Sequence, residues 1–136
     1  MPDFILNPIR RTAFWLFWPA IVFVIWRELT PTPPPILSQY GDPAGHFVCY
    51  FALALLATLG FRLSLKLILA IPCILILGGF LEYLQYWTVR FPDMLNVVAK
   101  MFGVVVGLCL GAVFLHLVEP IPEDYPPEPG MGGDTE

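Results

Sequence analysis

Charge is scarce in this chain. Asp, Glu, Lys and Arg make up 13% of its 136 residues while 57% are hydrophobic, a balance too apolar for an ordinary soluble domain of this size. The sequence has no basic run, no cysteines at zinc-site spacing and no glycine-rich phosphate loop, so nucleic-acid and nucleotide binding have no support. Its three cysteines, Cys49, Cys73 and Cys109, are an odd number that offers no disulfide framework. Each stands in an apolar stretch, which predicts a small buried hydrophobe. The net charge of −4 owes most to the last residues, where Glu119, Glu123, Asp124, Glu128, Asp134 and Glu136 have no Lys or Arg among them. Without them the chain is close to neutral.

What is present is long apolar runs. Four segments, near residues 11–26, 43–61, 63–87 and 93–118, approach or exceed the roughly 20 residues that cross a hydrocarbon core as a helix. They lack the alternating polarity of barrel strands. The sequence therefore predicts an all-α, polytopic membrane protein: a four-transmembrane-helix bundle over residues 1–118, with a disordered acidic, Pro- and Gly-rich tail over 119–136. The first segment follows Arg10 and Arg11, but Ile25-Trp26-Arg27-Glu28 offers no small-residue cleavage site, so it reads as a retained helix. Pro31, Pro33, Pro34 and Pro35 predict an extended spacer. Asp42-Pro43 and Pro92-Asp93 are helix-start signals. Arg10, Arg11, Arg62 and Lys66 mark one side of the bilayer, and Arg27 and Arg90 the other. The positive-inside bias places both termini and the turn at 60–66 in the cytoplasm.

In this topology the starts of helices two and four and the end of helix three share the outer face. Asp42, His46, Glu82, Gln85, Asp93 and Asn96 stand at those ends, spaced three or four residues apart within each helix and therefore on common faces. Polar groups in hydrocarbon persist where they meet one another, water or a ligand. Each has a simpler reading beside the functional one. Asp42 and Asp93 serve equally well as helix caps. His46 suits proton exchange or metal ligation, or a hydrogen bond to Glu82 or Asn96. Glu82 either stays protonated or is held ionised by a cation such as Arg90. Lys100 either points into the same cavity or snorkels outward. Gly103, Gly107 and Gly111 form a smooth strip for packing inside the bundle, with self-association as the second use. Nothing in the spacing demands a metal or any other cofactor.

The pattern Asp42-Pro43-Ala44-Gly45-His46-Phe47-Val48-Cys49-Tyr50, then Glu82-x-x-Gln85, Arg90 and Asp93-x-x-Asn96, resembles the VanZ-like membrane protein family over residues 42–107. The family's first motif usually reads Asp-Lys-x-x-His-Phe-x-x-Tyr, and Pro43 departs from it at the Lys position. Its last motif usually has Gly three residues beyond the Asn, where Ala99 stands here. The resemblance implies a four-helix integral membrane protein of the cell envelope, some members of which are linked to teicoplanin resistance, and it supplies no established reaction. The resulting expectation is an outward-facing pocket between helices two, three and four that binds an amphiphilic or cell-wall-related ligand through Asp42, His46, Glu82, Gln85, Arg90, Asp93 and Asn96. One alternative is an enzyme acting on a lipid-linked or acyl substrate, with Glu82 or His46 as general base. Another is a structural subunit that meets a membrane-protein partner through helix one, the tail or the Gly103/Gly107/Gly111 strip.

Overall fold

A computed structural model describes residues 3–30, 38–87 and 94–118. Within them the chain forms four α-helices: α1 (Asp3–Leu29), α2 (Ser38–Phe61), α3 (Leu65–Trp87) and α4 (Met94–Val118). All four are long and apolar enough to cross a membrane, which makes this an all-α, multi-pass membrane bundle. The proline spacer, Arg90, Asp93 and the acidic tail lie outside the described residues.

Two helices begin earlier than their sequence signals. The first starts at Asp3 and runs through both Pro8 and Pro19, whereas the apolar pattern placed its start near residue 11. The second starts at Ser38, so Pro43 falls in its second turn. A proline there removes one ladder hydrogen bond and leaves the rest of the helix intact.

The core gathers around α2, whose Tyr50, Leu53, Ala54 and Ala57 are fully buried against Phe17 and Val24 of α1, Leu67 and Ile74 of α3 and Val104 of α4. Contact between α2 and α4 is the most extensive, and the glycine strip explains it. A Cβ on Gly103 would run into the Phe47 carbonyl, one on Gly107 into the Phe51 carbonyl, and one on Gly111 into Thr58 at 2.7 Å. Without side chains at these positions the two backbones approach closely. That is the first of the two uses expected of the strip, packing inside the bundle, and α2 covers the face that the second, self-association, would need.

At the end of the bundle where α2 passes to α3, Phe14 and Phe17 of α1 meet Phe61 edge-on, with ring centroids 5.7 and 5.2 Å apart. Such edge-to-face pairs suit the ring quadrupoles. The turn itself places Arg62 at φ 59°, a left-handed conformation that closes α2. Ser64 then bonds back to the Phe61 carbonyl through its hydroxyl at 2.6 Å, and its own carbonyl accepts from the Leu67 and Ile68 amides at the start of α3.

The cysteines depart from their expected burial. Cys49 is half-buried, while Cys73 and Cys109 lie on the outer surface of the bundle. A thiol behaves as a small apolar group, and in a membrane protein hydrocarbon surrounds the bundle as well as filling it. The same reasoning covers the exposed Trp15, Trp18, Phe23 and Trp26 of α1.

Candidate functional site

Up-down connectivity brings the end of α1, the start of α2, the end of α3 and the start of α4 to one end of the bundle. Each helix carries a polar or ionisable side chain inward there: Glu28 from α1, His46 from α2, Glu82 and Gln85 from α3, Asn96 and Lys100 from α4, none more than 6% exposed.

Lys100 is the hub. Its ammonium donates to Glu82 Oε2 at 2.8 Å, to Glu28 Oε2 at 3.0 Å and to the Gly78 carbonyl at 3.3 Å, and it sits 5.5 Å from the centroid of the Tyr50 ring. The other Glu28 oxygen lies 3.3 Å from His46 Nδ1. One ammonium thus joins carboxylates from two helices, and one of those carboxylates also faces the imidazole of a third. In a low-dielectric interior such groups persist because they are paired.

Gln85 has a different task. Its side-chain amide donates to the Glu28 backbone carbonyl at 2.7 Å, one of the last carbonyls of α1, which have no partner within their own helix. Nearby, Thr30 returns both its amide and its hydroxyl to the Trp26 carbonyl. The end of α1 is therefore fixed on α3, which holds Glu28 in reach of Lys100. On the outer side of the α1–α2 contact, the Arg27 guanidinium lies directly over Gly45 and points one nitrogen at Cys49 Sγ, 3.7 Å away.

Of the residues the sequence singled out, the structure brings His46, Glu82, Gln85 and Asn96 to this one buried region. Asn96 lies one turn before Lys100 on the same face of α4. The backbone of Asp42 belongs to α2, with its side chain outside the described set, as are Arg90 and Asp93 altogether. Among the described residues the cation beside Glu82 is Lys100, while Arg90, the cation the sequence offered for that place, lies outside them. Lys100, read as equally suited to the cavity or the interface, points inward. Glu28 was not singled out at all. Its signal was present, because a lysine inside an apolar span needs a carboxylate and Glu28 closes the only helix end at that face left without a candidate.

Beside the cluster is a cavity of about 140 Å³ lined by Tyr50, Leu75, Gly78, Gly79, Val97, Lys100 and Met101. Tyr50, Gly78 and Lys100 form its inner end, and it opens between α3 and α4, where Leu75, Gly79 and Met101 reach the surface. Among the described residues no group of three or more His, Cys, Asp or Glu side chains is arranged to hold a metal ion.

The fold and this cluster define a class: a multi-pass helical membrane protein with a buried ionic centre at one end of its bundle. Compared with family models, with curated proteins and with solved structures, the chain matches none of them.

Proposed function

We propose that this chain is a VanZ-like integral membrane protein of the cell envelope, and that its ionic centre serves the binding of an amphiphilic, envelope-derived ligand. The observation that carries the reading is the ion cluster itself: Glu28, His46, Glu82 and Lys100, one from each helix, buried together. Apolar residues of similar volume hold a bundle together at least as well as a buried ion pair. Ionisable groups within membrane spans are accordingly a mark of function. The distribution of Arg10, Arg11, Arg62 and Lys66 against Arg27 and Arg90 supports a cell-membrane location with both termini cytoplasmic and the cluster toward the outer face.

The test replaces the centre without leaving a charge unpaired. A triple variant, Glu28→Met, Glu82→Met and Lys100→Met, is expected to insert and fold, and to lose the wild-type chain's effect on the teicoplanin tolerance of a glycopeptide-sensitive bacterial host. A triple variant with wild-type effect rejects the binding role.

A second reading, a scaffold whose polar centre locks four helices in one register, is favoured by the near-complete closure of the cluster on itself, with the Glu28 side chain at 0% exposure. It predicts that the triple variant shifts helix packing while any ligand retention is unchanged.

A further inference from the structure

We propose that the cleft between α3 and α4 is a lateral binding site for a single-chain amphiphile with an uncharged, hydrogen-bonding head, reached from the surrounding lipid. This rests on the ligand-binding reading above and adds the route and the chemical class of the ligand.

The cleft is a built space. Leu75, Gly79, Val97 and Met101 form its sides, and Tyr50, Gly78 and Lys100 its inner end. Its volume of about 140 Å³ is close to that of apolar cavities of roughly 150 Å³ that accept a benzene-sized molecule. It therefore takes a short run of hydrocarbon next to a head group, with the rest of the chain lying in lipid. Two consecutive glycines of α3 shape it in different ways. Gly78 makes room for Tyr50, since a Cβ there would come within 2.9 Å of the Tyr50 ring. Gly79 makes room for nothing in the protein, since a Cβ there would meet no atom within 4 Å. Glycine weakens a helix interior relative to alanine, so the space at Gly79 is spent on something outside the chain.

The inner end selects the head. Two of the three Lys100 donors are committed to carboxylates, at 2.8 and 3.0 Å, and the third reaches the Gly78 carbonyl at the longer distance of 3.3 Å. That carbonyl also accepts within the α3 ladder. A ligand oxygen can therefore take the third donor without stranding a buried acceptor. The Tyr50 hydroxyl is buried at the same end, on the side of Glu28. Charge decides the class of oxygen. Two carboxylates already share the one ammonium, and they repel a further carboxylate or phosphate head strongly at low dielectric, whereas an ester carbonyl or hydroxyl carries no charge for them to repel. The ligand class is thus that of a monoacylglycerol or a long-chain alcohol.

The experiment uses the full chain in phosphatidylcholine nanodiscs with a monoacylglycerol carrying a photoreactive diazirine in its acyl chain, and locates adducts by peptide mass spectrometry. Adducts at Val97 and Met101 are expected to exceed those at Leu110 and Val113, which are exposed on another face of α4, by about tenfold. Unlabelled monoacylglycerol is expected to compete and oleate is not. Gly79→Leu fills the cleft from α3 and Met101→Trp fills it from α4, so a folding failure in one leaves the other. In either, adducts at Val97 are expected to fall to the Val113 level, with the unfolding temperature of Gly79→Leu unchanged or raised. Even labelling along α4, persistence of the Val97 adduct in the filled variants, or competition by oleate overturns the proposal. The two readings fail separately. Wild-type phenotype in Gly79→Leu alongside its loss in the apolar triple variant removes the lateral cleft and keeps the ionic centre, and the phenotype surviving in the triple variant removes the centre.

Discussion

Lys100 is the residue on which the most depends, because its ammonium is the cation shared by two buried carboxylates. Lys100→Met leaves Glu28 and Glu82 facing each other without it, and a loss of about 3–5 kcal/mol is expected, the usual consequence of removing one partner of a buried ion pair. Denaturant unfolding in mixed micelles checks this. Adding Glu28→Met and Glu82→Met to the same chain is expected to restore most of the loss, so the effects of the three substitutions are strongly non-additive. Arg62 is a second sensitive position, for a backbone reason. Its φ of 59° is a conformation that costs an L-residue about 1–2 kcal/mol and glycine almost nothing. Arg62→Gly is expected to raise stability by about 0.5–1 kcal/mol, read in the same unfolding assay. Four of the six inward-facing side chains were legible in the sequence. His46, Glu82, Gln85 and Asn96 stand near helix ends, and a count of spans puts those ends on one face. Lys100 lies nearly two turns inside α4, where a flexible side chain can point either way. Glu28 follows Arg27 directly, so in sequence it looks like half of an exposed charged pair. Their meeting is a tertiary fact, 72 residues apart in the chain.

Among the elements, the glycines separate two physical roles that look alike in sequence. Gly103, Gly107 and Gly111 repeat every four residues and face α2, the first two against its backbone and the third against the Thr58 side chain, whereas Gly79 faces open space. Gly107→Leu is therefore expected to force α2 and α4 apart and destabilise the bundle by at least about 2 kcal/mol, in the range of large overpacking effects. Gly79→Ala is expected to be neutral or stabilising by up to about 1 kcal/mol, since it gains helix propensity and touches nothing. The pair is measured by the same unfolding assay, and equal effects at the two sites would contradict the packing described. The helices themselves were visible as apolar runs, because membrane spans are specified by length and hydropathy. The starts of α1 and α2 were not. Asp42-Pro43 looks like a boundary, yet a proline within the first turns of a helix removes few ladder bonds, and α2 begins before Pro43 just as α1 begins before Pro8.

For the molecule as a whole, the governing question is what surrounds it, and the thiols give a direct answer. Cys73 in α3 and Cys109 in α4 lie on the outer surface of the bundle, near the middle of spans Leu65–Trp87 and Met94–Val118. For a bundle in water, two exposed thiols would react readily with a charged maleimide. For a bundle in lipid they would not, because alkylation proceeds through the thiolate, and neither an ion nor a charged reagent is stable in hydrocarbon. In intact membranes both residues are expected to resist the reagent. After denaturation in sodium dodecyl sulfate at alkaline pH both are expected to be labelled fully, which shows that the thiols are present and reduced. A cysteine placed at Lys66, exposed at the end of the bundle beside the α2–α3 turn, is expected to react without denaturation and serves as the positive control for reagent access. Rapid labelling of Cys73 and Cys109 in untreated membranes would mean that water reaches the middle of α3 and α4. In that event the apolar faces of all four helices would need protein partners to cover them, and the cleft at Gly79 would lose its access to lipid.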